Sequence, residues 1–205
     1  MQFRSVPHRP VVLLAVAACV VVGACGGSSS SSAVPGDTTV PLQPTAWPNG
    51  TVGAFGLRID PGLLGTIPRT AGGLPLIESA PTEITALDTS DDFTRFDRFA
   101  AAEAGQLSET GNSDWISVSI GHVRDADQTD DFLASWRDEF FEGACSHADG
   151  VKSQAQETIN DWPVDTAVCT GGPLVYVLWT EDGNLLSIQD LGPRHLGREL
   201  INALQ

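Results

Sequence analysis

Beyond Gly150 the helical spacing of apolar residues ends, and four consecutive segments read with a period of two: Lys152–Ile159, Val164–Cys169, Leu174–Thr180 and Leu185–Asp190. Alternate side chains of a strand point to opposite faces, so this period predicts four strands. They are separated by Asn160-Asp161-Trp162-Pro163, Gly171-Gly172-Pro173 and Asp182-Gly183. Asp-Gly is a hairpin signal, because a two-residue hairpin turn needs positive φ at its central residues. Turns this short leave one arrangement open, an antiparallel meander. Leu174–Trp179 is apolar on both faces, the pattern of a strand inside the sheet.

Upstream, Trp115–Val123 alternates in the same way, with Ile116, Val118 and Ile120 on one face and Ser117 and Ser119 on the other. Asp130–Ala144 instead repeats Leu133, Trp136, Phe140 and Ala144 at helical spacing, with Phe132 widening the stripe. A second helix is predicted from Ser90-Asp91-Asp92, with Phe93, Phe96, Phe99 and Ala100 as its stripe and Gly105 as its end. Pro61–Thr66 reads as a helical turn capped by Asp60. Leu74–Glu78 reads as an edge strand, since Pro75 cannot donate to a ladder, with Glu83–Leu87 as its partner. Gly192-Pro193 starts a last helix whose Leu196, Leu200 and Leu204 face the core. Together these predict an α+β fold: an antiparallel sheet with a C-terminal four-strand meander, helices packed on it, and one disulfide. In its order of elements the region resembles the PsbP-like α/β/α sandwich of small envelope domains, which implies helices on both sides of one sheet.

The N-terminus reads as an address. Arg4 and Arg9 precede an unbroken apolar run, Val11–Val22, of signal-peptide length and too short to span a bilayer. The run ends in Val22-Gly23-Ala24-Cys25, followed by Gly26-Gly27. This resembles the lipobox of bacterial lipoproteins. The resemblance implies cleavage before Cys25, diacylglycerol on its sulfur, and a domain held on the outer face of the cell membrane. Two acyl chains hold a protein stably where one does not. Residues 1–24 are then the signal peptide, 25–53 the lipidated Cys25 with a Ser/Gly/Pro tether, and 54–205 one domain. The tether is too poor in apolar residues to offset its ordering entropy.

Four cysteines are present. Cys19 leaves with the signal and Cys25 takes the lipid, so Cys145 and Cys169 remain to form one disulfide in an oxidising compartment. The loop they close is worth about 3–4 kcal/mol in the chain-entropy description. The chain carries 11 basic and 26 acidic residues, a formal net charge of −15, and its one lysine is Lys152. That balance argues against nucleic acid, whose phosphates need Lys and Arg.

Little in the sequence points to catalysis. Asp125, Asp127, Asp130 and Asp131 are dense enough to suggest calcium, but the Gly and Glu positions of an EF-hand loop fall on Asp130 and Trp136. Capping of the helix that follows explains the acids better. His122, His147 and His195 share no ligand spacing, and His122 is expected at the rim of the core on the Ile116 face. The stretch around Ser108 does not match a nucleophile elbow. No phosphate loop or dinucleotide fingerprint occurs, and no cofactor or metal ligand set is expected. Trp115, Trp136, Phe140 and Trp179 read as packing residues, while Trp162, expected in a turn, reads as an exposed binding anchor. The resulting expectation is a non-enzymatic, membrane-anchored envelope protein that binds a protein partner. The alternative is a carrier of a lipid or other apolar ligand.

Overall fold

A computed structural model describes residues 57–80, 91–106 and 113–205. The signal segment, Cys25, the tether, the Glu83–Leu87 strand, the Ser90 cap and Ser108 lie outside the described residues.

The meander forms in the expected order. β7 (Val151–Ile159), β8 (Trp162–Cys169), β9 (Leu174–Trp179) and β10 (Asn184–Leu191) are successive antiparallel neighbours. β10 also pairs with β6 (Asp114–Val123), from Asn184 opposite His122 to Leu191 opposite Trp115. β6 pairs in turn with β5 (Phe96–Gln106). The outer edge of β5 is lined by two short strands, β1 (Arg58–Ile59, parallel) and β4 (Ile77–Glu78, antiparallel). Among the described residues the sheet thus has eight strands, and β2 (Thr70–Ala71) with β3 (Leu74–Pro75) makes a separate hairpin. The predicted Leu74–Glu78 strand is therefore split between this hairpin and β4.

Two expectations change. The segment after Asp91 is not a helix: a 3-10 turn, Asp91–Arg95, leads directly into β5. The misleading signal was Phe96 and Phe99, three apart and both buried on one side. A bulge produces that spacing, since the register shifts between Phe96 and Arg98 and Asp97 is the extra residue. Beyond the bulge, Ala100, Ala102 and Ala104 alternate as a strand should and are buried. Trp162 also moves. The turn is Asn160-Asp161 alone, with φ of 48° and 68° as a tight hairpin requires, and Trp162 opens β8 half-buried against the core.

The helices lie on opposite faces. α1 (Asp130–Cys145) is capped by Thr129, whose hydroxyl accepts the Phe132 N–H. It buries Trp136, Phe141 and Cys145 against Val175, Val177, Leu185 and the aromatic side of β5. α2 (Leu196–Asn202) covers the other face together with the Pro61–Thr66 turn, packing Leu196, Leu200 and Ile201 on Ile116, Ile120, Leu186 and Ile188. Leu204 is buried there too, just beyond the helix. Side chains fill both faces of the sheet.

Candidate functional site

The Cys145 and Cys169 sulfurs are 2.00 Å apart, joining the end of α1 to the end of β8 across 24 positions. The disulfide pins the C-terminal end of α1 to the sheet, and the N-terminal half of that helix borders a surface cleft. This cleft, about 470 Å³, lies between the Asp91–Arg95 turn and α1 and is lined by Arg95, Asp131, Phe132, Ser135, Trp136 and Glu139. Its floor belongs to an aromatic cluster. Trp136 meets Phe93 and Phe96 edge-on, at centroid distances of 5.5 and 4.8 Å, and stacks on Phe140. The indole N–H of Trp136 donates to the Ser187 hydroxyl at 2.9 Å, so the ring is locked in place. The rim carries one guanidinium, two carboxylates and the hydroxyls of Thr94, Thr129 and Ser135 around a half-buried Phe132. Such a lining offers polar contacts around a small apolar centre.

The acidic stretch beside the cleft divides its carboxylates among separate tasks. Asp127 pairs with Arg95, and Asp125 accepts from the Gln128 side chain at 3.3 Å. Asp130 and Asp131 occupy the first turn of α1, where negative charge is favoured, while the cap itself is Thr129. Among the described residues, no three His, Cys, Asp or Glu side chains gather as a metal ion would require.

The histidines are far apart in role. His147 and His195 are exposed in connections, and His122 is half-buried at the end of β6. There its Nδ1 lies 2.8 Å from the Asp97 carboxylate, the residue that the β5 bulge turns toward it. Arg98 approaches Asp97 at 3.7 Å and Asp60 at 3.6 Å, and Arg58 shares Asp60. The pair was not legible in the sequence, because a bulge cannot be read from it.

At the opposite end of the sheet Asp190 and Asp114 are buried, 1% and 8% exposed. Burial, with Asp114 nearby, pushes the Asp190 carboxyl up to about 6. Burial and Asp190 also push the Tyr176 phenol well above its ordinary value, and burial alone raises Glu78. Asp190 did leave a signal: it continues the side of β10 that carries Leu186 and Ile188.

No family model, curated protein or solved structure matches this chain. Among the described residues no helix is long and apolar enough to cross a membrane.

Proposed function

We propose that the chain is a lipid-anchored protein of a bacterial cell envelope, held through Cys25, whose α+β domain binds a protein partner and performs no catalysis. The observation that carries this reading is the Val22-Gly23-Ala24-Cys25 sequence closing a signal-length apolar run. The Cys145–Cys169 disulfide supports it, because such bonds persist in exported, oxidising surroundings. The α1 cleft is the surface suited to a partner: a locked aromatic centre ringed by charged and hydroxyl groups has the composition of a protein-binding patch. The carrier alternative needs room between helices and sheet, and that space is packed with Leu, Ile and Phe side chains.

Metabolic labelling with a fatty acid tests the anchor. Label is expected on the native chain and absent from Cys25→Ala, which should be released from membranes. An unlabelled native chain that is nonetheless exported would overturn the anchor. A photo-crosslinker placed at Ser135 tests the cleft. A discrete crosslinked partner, lost when Phe132 is changed to Asp, is expected. Native mass spectrometry showing a lipid that leaves on denaturation would favour the carrier instead.

A further inference from the structure

Asp190 is the next-to-last residue of β10 and faces α2. Its Oδ2 accepts the Gly197 N–H at 3.1 Å, in the first turn of that helix, and no donor among the described residues reaches its Oδ1. The residue before the helix, His195, sits at φ 52° and ψ 54° and provides no side-chain cap. A carboxylate from the sheet therefore does the work normally left to the residue preceding a helix. Asp114, on β6, holds the same connection one step earlier, accepting the Arg194 N–H at 3.0 Å. The Arg194 guanidinium reaches on to the Gly72 carbonyl, tying in the β2–β3 hairpin. Two buried acids thus fasten the connection between β10 and the C-terminal helix.

The two protonation states of Asp190 are not equivalent in this setting. An ionised carboxylate out of water with one oxygen unpaired carries a desolvation penalty that the neutral acid largely avoids. We propose that Asp190 is a proton-linked latch: uptake of a proton in mildly acidic surroundings seats α2 more firmly on the sheet, and its loss toward neutral pH loosens the helix.

The neighbours divide: the Gly197 N–H, His195 at the start of α2 and the Leu196 N–H favour the anion, Asp114 from β6 favours the protonated form, and burial outweighs them all. Tyr176, from β9, lies against Gly197 and keeps its proton, since burial and Asp190 both raise it. Arg198 of α2 is paired with Glu157 of β7 at 2.9 Å on the outer side of the helix. Burial is the largest influence on Asp190 and sets its value at about 6, against 3.8 for a free aspartate. The closed form therefore binds the proton more tightly than a form in which α2 has lifted. The stability contributed by protonation is present at the acid end of that interval and lost as pH rises through about 6.

Hydrogen exchange on the exported chain with its disulfide intact tests the latch, provided rates are converted to protection factors. The α2 amides, read at Leu200 and Ile201, should open about tenfold more often at pH 7 than at pH 5. In Asp190→Asn, which keeps an acceptor for Gly197, the opening should be frequent at neither pH and should not change between them. An equal pH response in both chains, or none in the native chain, overturns the latch. Should Asp190→Asn fail to fold, the carboxyl carbon shift of Asp190 in the native chain decides. A midpoint near 6 is required, and a midpoint near the free value of 3.8 overturns the proposal.

Discussion

Individual side chains set the shape of the aromatic side of the sheet, and Gly121 shows how. It lies on β6 opposite Phe99, and a Cβ there would come within 2.4 Å of the Phe96 ring and 2.9 Å of the Phe99 ring. Both rings lie across the glycine because no side chain blocks them. Gly121→Ala should therefore cost about 1–3 kcal/mol through overpacking, read from the urea midpoint with an unchanged slope. Helix α1 offers a contrast within one element. Phe141 is fully buried between helix and sheet, whereas Phe132 is half-buried at the cleft. Phe141→Ala should lose about 3–5 kcal/mol by leaving a cavity. Phe132→Ala should cost well under half as much, because water can reach the space. Equal losses would mean that the cleft is closed in solution, and the crosslinking site would have to be sought elsewhere.

At the scale of elements, the disulfide joins α1 to the meander. Replacing both Cys145 and Cys169 with Ser should lower stability by about 3–4 kcal/mol, the loop-entropy expectation for a separation of 24 residues. Far smaller losses, in the same urea measurement, would show that packing of Phe141 and Trp136 holds α1 unaided. The meander, β6, α1 and α2 were legible from their turn signals and apolar patterns, and the Cys145–Cys169 pairing was read by setting Cys19 and Cys25 aside as signal and lipid-anchor residues. β5 was not, for two physical reasons. Ala100, Ala102 and Ala104 alternate, but alanine is the best helix former, so composition argued against the strand. The Asp97 bulge then placed Phe96 and Phe99 at a helix-like spacing. The same bulge hid the Asp97–His122 pair, which depends on a backbone irregularity and a cross-strand neighbour. The cleft was equally invisible, since it exists only where α1 meets the Asp91–Arg95 turn. Asp190 was half legible: its place on the core side of β10 could be read, but its cap on α2 is a tertiary contact.

For the molecule as a whole, charge and burial act together on the response to pH. With 26 acidic and 11 basic residues the surface repels itself at neutral pH, and acidification relieves the repulsion. The buried Asp190 and the half-buried Glu78 act in the same direction, because both are raised above their ordinary values. A group that binds its proton more tightly when folded adds stability at acid pH and withdraws it as pH rises through its folded value. For Asp190 that window runs from 3.8 to about 6. Across the whole of it the group is worth on the order of 3 kcal/mol. Salt separates the two contributions. Surface repulsion is screened within about 10 Å at 0.1 M salt and still more strongly above it, whereas a buried carboxyl keeps its penalty. Unfolding by urea between pH 4 and 7 should therefore show stability falling toward neutrality, with a shallower fall at high salt that does not vanish. The part that survives salt should be largely absent from Asp190→Asn, which should match or exceed the native chain at pH 7. If high salt abolishes the fall in the native chain, the pH response belongs to the acidic surface, and Asp190 is already stabilised as an anion by its bond to Gly197.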